Sequence, residues 1–520
     1  MAIDIKPVLI VGGGPTGIML AAELARRNVP CRVIDRKREA TTSSRAFTIH
    51  ARTLEIFETI GLAEKYIETG LKSFGFLFNF EGMENVPALD FRKLRSRYPF
   101  VLVYSQAETE RLLREHLTEE HGIEIEWNTE LSKLEKRSDG SMDIEIKDRE
   151  SGAVSTMDAS YVIGCDGVHS FVRKSMDLPF EGEAYEGMIM QMMDTSATGY
   201  DADPDWIQYF MKDENFLLTT PLPNGNYRIL ISDMGETAKT EGTRVEAYQQ
   251  VVDEHNLNFK IVEPEWVTQW VIWKRLANIY RDGDVFLCGD SAHVHSPSGG
   301  QGMNSCLQDA WNLGWKLAMV LRGEAKPELL DTYEIERKPI AKQVIDGTDA
   351  MHDIIMAHGR GMTERMALTE TPGWQIEVTE LVAGISYTYR DHIEPAVGLD
   401  AMSDGPEAGD RAPDVDLAGG KTLYESFRYV GMTLVLLPKS GDSESDANSI
   451  STQIGSRFGD TVNVLTVDTI DRAAMAEAYG DEGDGRLYLV RPDGYIAYRA
   501  RLAEGNQLLD YLNTVLVAAA

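Results

Sequence analysis

Three short segments carry the residue types from which a nucleotide site can be built. Gly12-x-Gly14-x-x-Gly17 follows the apolar run Val8–Val11 and leads, through Pro15 and Thr16, into a stretch of helix formers. In such a turn the first glycine allows the sharp reversal, and the second lets backbone approach a pyrophosphate. The third lets helix pack on strand, while the helix start supplies N–H donors and a favourable dipole. Asp35 closes the next apolar run, Cys31–Ile34, where a carboxylate can accept hydrogen bonds from an adenosine ribose. NAD and FAD both satisfy this first fingerprint. Two further runs, Ile163-Gly164-Cys165-Asp166 and Phe286-Leu287-Cys288-Gly289-Asp290, also bring an aspartate to the carboxyl end of an apolar strand. An acid at Asp290 can hold a ribityl hydroxyl. The glycines of Gly299-Gly300-Gln301-Gly302, with Met303-Asn304 opening a helix, can aim N–H groups at the electron-rich edge of a reduced flavin. That selects FAD.

These residues need a scaffold, and the chain is long enough to build one. At 520 residues it exceeds one hydrophobic core, and 43% hydrophobic content suffices for several. A continuous apolar run closed by glycines reads as a strand buried on both faces of a parallel sheet, and the first 35 residues form one βαβ unit. Between about 180 and 268 the texture changes to aromatic and β-branched runs such as Trp206–Phe210 and Asn226–Ile231, the pattern of an inserted antiparallel sheet. Helical patterns return over Gly302–Val320 and Leu330–Met356. Past Gly405-Pro406, strand-like runs at 432–437, 462–467 and 487–490 mark a third domain. The expected class is α/β: a Rossmann-like FAD-binding domain from 1–180 and 269–400, a substrate-binding β-sheet domain from 181–268, and a C-terminal domain from 401–520.

Charge and cysteines set the exclusions. With 51 Lys+Arg against 83 Asp+Glu the net charge is −32, which argues against a nucleic-acid partner. No run approaches the ~20 apolar residues of a membrane span, and the amino terminus does not read as a secretory signal. The four cysteines, Cys31, Cys165, Cys288 and Cys306, are widely spaced, which suggests reduced thiols in a cytoplasmic protein. No His/Cys cluster has ligand spacing, so no metal is expected.

The motifs together resemble the FAD-dependent aromatic hydroxylases, the single-component (class A) flavoprotein monooxygenases. Gly289-Asp290-Ser291-Ala292-His293, continuing through Asp309-Ala310-Trp311-Asn312-Leu313-Gly314-Trp315-Lys316-Leu317, is highly specific to that family, and the resemblance covers nearly the whole chain. Ser44-Arg45-Ala46, Arg52-Thr53-Leu54-Glu55 and Tyr104-Ser105-Gln106 match its segments beside the flavin. Thr48–Arg52, Tyr66–Gly70, Arg97–Phe100 and Gln191–Asp194 look like members that act on substituted phenols. The part from Gly409 to Gly494 resembles the thioredoxin-like domain of phenol hydroxylases, but it lacks cysteine, so dithiol chemistry is excluded there.

The resemblance implies FAD bound by Gly12, Gly14, Pro15, Thr16, Gly17, Asp35, Arg36, Arg45, Ala46, Gln106, Asp166, Asp290, Gly300, Gly302, Met303 and Asn304, with Pro297 beside the isoalloxazine ring. It implies NADPH or NADH as electron donor, O₂, and a small phenolic substrate hydroxylated through a flavin C4a-hydroperoxide, at a halogen- or nitro-substituted carbon in some members. A homodimer is expected. A phenol attacks faster as phenolate, so a base or a hydrogen bond favouring the anion is needed. The candidates are Tyr209, Tyr227 and Arg228 on the inserted sheet and His50 before the Arg52 helix. Each has an ordinary alternative: a tyrosine filling a sheet core, a histidine capping a helix. The basic islands Arg36-Lys37-Arg38 and Arg92–Arg97 are candidates for docking the nicotinamide cofactor's phosphates. A hydroxylase of a polycyclic polyketide would share every flavin motif, and a non-catalytic flavin-binding sensor or assembly module is a further alternative. The lysine- and tryptophan-bearing signature of a flavin halogenase is missing.

Overall fold

The computed structural model describes residues 5–42, 45–81, 83–137, 140–212, 215–233, 244–355, 361–392, 402, 404–439, 441–468, 470–480 and 485–519. Ser44 and Met356, both singled out above, lie outside them. Val8–Val11 is buried along its whole length because parallel neighbours flank both edges, Val162–Gly164 on one and Cys31–Ile34 on the other. The six-stranded sheet runs Arg281–Asp282, Val285–Leu287, Val162–Gly164, Val8–Val11, Cys31–Ile34, Ile125–Glu126. Only the outer hairpin at Arg281–Asp282 is antiparallel. Asp166 and Asp290 therefore sit just past the carboxyl ends of neighbouring parallel strands, and Asp35 past the end of Cys31–Ile34 on the other side of Val8–Val11.

The crossover helix Pro15–Ala25 buries Ile18, Met19, Leu20 and Leu24 and packs on the long helix Gly302–Leu321. Gly314 permits that approach, since a Cβ there would come within 2.5 Å of Glu23 Cγ. The expected helix over Leu330–Met356 runs Thr332–Ile355.

The second sheet is larger than the expected insert. It has eight strands in the order His293–Val294, Lys260–Ala277, Phe180–Thr198, Tyr227–Asp233, Phe216–Pro221, Trp206–Met211, Gly75–Phe80, Met83–Asp90. Five come from the chain around 181–268, and the other three are added from the FAD-binding portion. One pairing, Trp206–Met211 with Gly75–Phe80, is parallel. The alternation of the strands divides their side chains between two faces. Met192, Tyr209, Phe216 and Leu218 join the main core, while Met193, Leu217, Ile229 and Ile231 join a separate cluster under the helix Arg244–Glu254.

The tail carries a four-stranded sheet in the order Val462–Thr466, Met432–Pro438, Gly485–Val490, Ile496–Arg501, with the first pair parallel and the rest antiparallel. Helices Gly441–Phe458 and Gly505–Val515 cover it, burying Ile454 and Leu508 among Leu434, Leu436, Leu487 and Leu489.

Buried charges join the tail to the rest. Arg491 donates to both oxygens of Glu336 at 2.7 and 2.8 Å, and Lys316 donates to the same carboxylate at 2.7 Å. Asn312 bonds Glu336 at 2.8 Å and Asp493 at 3.1 Å. Alongside, Arg52 donates to the Asp493 carbonyl at 2.5 Å and pairs with Glu55, which Arg411 also holds at 3.0 Å. Burial pushes the Glu336 carboxyl up, but Arg491 and Lys316 outweigh it and hold it at about 2. A buried carboxylate held by this many donors is costly to neutralise on one side only, because its partners stay buried and charged. Glu336→Gln should therefore cost about 3–5 kcal/mol in denaturant unfolding. Because Glu336 is held near 2 in the fold but near ~4.3 when unfolded, its contribution is present above about pH 4.3. It should be lost as pH falls towards about 2, and the Glu336→Gln variant should show a flatter stability profile over that range.

Candidate active site

Gly12 has φ +117°, in the region open to glycine, and a Cβ on it would lie 2.2 Å from the Cys165 carbonyl oxygen. A Cβ on Gly17 would lie 1.9 Å from the Gly12 oxygen. Both glycines are required by protein packing. Gly14 is different: a Cβ there meets nothing within 4 Å and points into free space. It precedes Pro15, the first residue of a helix whose N-cap makes no side-chain hydrogen bond, so the first-turn N–H groups have no capping side chain. Asp35 accepts from the backbone N–H of Gly13 and of Lys37, each at 2.8 Å, which fixes its carboxylate beside the turn.

One cavity of about 700 Å³ begins here and continues to the inner face of the eight-stranded sheet. Gly12, Gly14, Pro15, Thr16, Asp35, Arg36, Arg45, Ala46, Gln106, Asp166, Asp290, Pro297, Gly300, Gly302 and Met303 line it. Gly17 lies behind Gly12. Asn304 also stands outside the lining, where it works as a tie: it accepts from the His50 N–H at 2.9 Å and donates to the Thr48 and Gly300 carbonyls at 2.9 Å each.

Two acids in the cavity are set to accept from a ligand. Asp166 Oδ2 receives the N–H groups of Phe171 and Val172, while Oδ1 is buried without a partner among the described residues. Asp290 opens onto the cavity, and Cys306 Sγ donates to its Oδ1 at 3.2 Å. Enclosure by protein raises both carboxyls. Across the cavity the helix Gly302–Leu321 presents a second N-terminus without a side-chain cap. Two uncapped helix starts, an open glycine and an orphaned carboxylate oxygen suit an elongated ligand bearing phosphates and hydroxyls. Residues and geometry fit FAD.

The far end of the cavity is apolar. Phe47, Phe76, Met192, Ile207, Phe216, Leu218, Leu230 and Ile272 line it, together with Tyr209 and Ile355. Of the aromatics in the run Trp206–Phe210, only Tyr209 is here; Trp206 stacks on Arg92 and Phe210 lies near His255. Tyr209 is 5% exposed, its ring packs on Phe76 and Phe78, and burial holds its phenol well above the usual range.

Three of the expected catalytic residues, His50, Tyr227 and Arg228, stand outside this lining. His50 is the N-cap of the helix Ala51–Thr59. Its Nε2 meets the Gly299 carbonyl at 2.8 Å, and burial lowers its pKa to about 4, so it is a neutral strut under the glycine loop. Tyr227 points to the opposite face of the sheet, where its hydroxyl donates to the Tyr200 carbonyl at 3.2 Å. Arg228 is fully buried, paired with Asp194 through two 2.7 Å bonds and flanked by Phe47 and Trp266. Neighbouring strand positions face opposite ways, so Tyr227 and Arg228 cannot share one site.

The two basic islands also separate. Arg36 and Lys37 line the cavity, and Arg45 stacks over Trp270 at 5.3 Å on its wall. Arg92 and Arg97 are committed elsewhere, Arg92 to Asp90 and Arg97 to Asp414 and Asp416 of the tail. Sequence reading missed Phe47, Phe76, Met192 and Ile355. The alternating run Gly75–Phe80 was a usable signal for a strand, but nothing local showed that it joins the inserted sheet. Met351 is core filling, packed beside Gly299.

Fold and cavity define the class first: a dinucleotide-binding domain joined to a sheet that closes an apolar pocket, with a third domain behind. Residues 6–348 match the FAD binding domain family and residues 405–519 the aromatic-ring hydroxylase C-terminal family. Pentachlorophenol 4-monooxygenase of Sphingobium chlorophenolicum is 44% identical over 528 residues, 99% of this chain and 97% of that one. The solved structure of an anhydrotetracycline hydroxylase from Streptomyces rimosus superposes with a TM-score of 0.77 at 30% identity, covering 98% of both chains. Aklavinone-11 hydroxylase, solved with FAD and aklavinone, shares the fold at a TM-score of 0.78, 23% identity and 98% coverage of each chain. The chain belongs to the FAD-dependent aromatic hydroxylases and is an FAD-dependent aromatic monooxygenase.

The glycines provide a test of the cradle. Gly14→Ala should fold with unchanged apoprotein stability yet bind FAD roughly tenfold or more weakly, because its methyl fills ligand space. Gly17→Ala should instead destabilise the apoprotein by about 1–3 kcal/mol or more. Thermal unfolding of the apoproteins and flavin fluorescence titration separate the two outcomes.

Proposed function

We propose that this enzyme hydroxylates a small phenol, using NADPH or NADH and O₂, and that ring substituents such as halogen or nitro groups are accepted. The observation that carries this reading is the continuity of the cavity, from the glycine turn at Gly14 to an apolar end whose one phenol hydroxyl is that of Tyr209. Bound FAD supplies the redox chemistry, taking a hydride equivalent from the nicotinamide and activating O₂.

The residues do the rest. The turn at Gly12–Gly14 with the Pro15 helix start would hold the pyrophosphate, Asp35 the adenosine ribose, and Asp166 and Asp290 the hydroxyls between. Pro297, Gly300, Gly302 and Met303 would wall the ring system, with Asn304 and His50 holding that loop from behind. Tyr209 stays protonated because burial raises its pKa, so it can donate to the oxygen of a phenolate. The apolar wall around it keeps water from the reacting atoms.

A compact substrate is favoured over a polycyclic one. A volume near 700 Å³ is what a drug-sized ligand fills (~300–1,000 Å³), and here dinucleotide and substrate must share it. The likeness to an anhydrotetracycline hydroxylase keeps a polycyclic phenol as the second reading. The cysteine-free tail, whose parallel pair and hairpin support a thioredoxin-like reading, braces the flavin domain in either case. The four free thiols support a cytoplasmic setting. Exposed Val262 and Ile279 support a dimer contact, which light scattering of the holoprotein reads directly.

Purified protein should carry a flavin spectrum and oxidise NADPH faster when a phenol is added. Release of halide or nitrite during aerobic turnover places hydroxylation at a substituted carbon, and absence of stimulation by every phenol rejects the reading. Tyr209→Phe should lower kcat/KM for phenols by about ten- to a hundredfold, the value of one hydrogen bond to a charged group (~1.5–3 kcal/mol). Replacing Arg38, which stands outside the cavity lining, should raise the KM for NADPH with FAD content unchanged, and unaltered kinetics rejects that docking role.

A further inference from the structure

The apolar end of the cavity contains a donor, Tyr209, but a phenol that arrives neutral also needs somewhere to send its proton. One polar thread leaves the cavity from the loop between Pro297 and Gly300. Ser298 lines the cavity between Pro297 and Gly300. Its hydroxyl lies 3.0 Å from the hydroxyl of Ser296, and Ser296 Oγ lies 3.0 Å from Nδ1 of His352. Ser296 and His352 are wholly buried and Ser298 is 5% exposed, so this thread is screened from bulk water. His352 sits on the last turn of the helix Thr332–Ile355, whose end also reaches the cavity through Ile355. That end is fixed: Arg365 donates to the carbonyls of Ile354 and Ile355 at 2.7 and 2.8 Å.

The far side of His352 leads outward. Its ring lies 4.2 Å from that of Tyr185, and the Tyr185 hydroxyl donates to Asp349 at 2.5 Å. Lys274 reaches the other oxygen of Asp349 at 3.3 Å and Glu183 at 3.2 Å, and these groups are partly exposed. The charged groups around the His352–Tyr185 pair are thus Asp349 and Asp353 on the same helix and Glu183 and Lys274 on the neighbouring strands.

We propose that Ser298, Ser296 and His352 form the proton path of the phenol, with His352 as the acceptor acting through the two serines. The phenol O–H donates to Ser298 Oγ, Ser298 donates to Ser296, and Ser296 donates to the lone pair on His352 Nδ1. When the protons shift one place along this chain, the phenol O–H bond breaks and an N–H bond forms on His352. The substrate is left as phenolate and the serines are unchanged. No oxidant or further reactant is involved. His352 is a positioning residue in this scheme, since it never touches the substrate, and the substrate class it serves is phenols that are neutral at working pH. This rests on the phenol reading above.

The test is equilibrium binding of 4-nitrophenol to the FAD-loaded enzyme without reductant, where the absorbance of the bound ligand reports its ionisation. Ser298→Ala, which cuts the path at the cavity and leaves the buried pair packed, should raise the apparent pKa of bound 4-nitrophenol by about one unit, a tenfold change. His352→Gln should do the same. Turnover of phenols that are neutral at the assay pH should fall about a hundredfold in both variants, while a polyhalogenated phenol that arrives ionised should change less than twofold. An unchanged ligand pKa in Ser298→Ala, or an equal loss of rate with both kinds of phenol, overturns the proposal. If His352→Gln loses its flavin, Ser298→Ala decides alone. If 4-nitrophenol fails to bind the wild-type enzyme, the phenol reading of the cavity falls first and takes this one with it.

Discussion

The carboxylate of Asp309 is the interaction on which the site depends. It lies at zero exposure on the helix Gly302–Leu321, where an unpaired charge could not persist. Arg337 donates to one oxygen at 2.7 Å, His293 meets the other at 2.7 Å, and the Gly289 N–H reaches the latter at 3.3 Å. Burial pushes its pKa up, but Arg337 and His293 outweigh that and keep it ionised. The segment Gly289–His293 is thereby pinned at both ends, and Asp290 sits inside it, facing the cavity. One buried charge fixes where a cofactor hydroxyl can be met.

From Asp309 the constraint extends backward into the tail. Arg337 also donates to the Tyr389 hydroxyl at 3.1 Å, and Asn312 links the Tyr389 region to Glu336 and Asp493. Arg52 carries the same tail turn to the helix capped by His50, which holds Gly299. A domain without a cysteine and outside the cavity thus braces both walls of the flavin site. The link is made by buried charges, which tolerate little displacement.

The net charge of −32 sets a problem that the fold resolves locally. A dinucleotide and a phenolate are both anions, and an acidic surface repels them over the screening length of ~8–10 Å. Arg36, Lys37 and Arg45 stand on the cavity wall, and the uncapped helix starts at Pro15 and Gly302 add positive ends. The second basic island is absent from the cavity because Arg97 neutralises tail aspartates instead. Similar sequence texture served two different purposes.

The cofactor end of the molecule was legible in the chain because its determinants are local. A glycine turn, a buried strand and an aspartate after it are read within a few residues, and parallel neighbours bring such units together in only a few ways. The family resemblance rests on those same compact motifs. The substrate end was not legible to the same degree. Whether Tyr209 or Tyr227 meets the cavity depends on which face of a strand lies inward, and a period of two makes that a question of register. The wall contributed by Gly75–Phe80 comes from more than a hundred residues upstream of its partner strand, by a parallel pairing with no sequence signature. His50, Arg228 and the serine pair behind Pro297 likewise acquired their partners only when distant segments met. The sequence by itself determined the cofactor and the class of aromatic hydroxylase; tertiary structure alone decided which polar groups face the cavity, because burial and partners, not residue type, decide what a side chain can do.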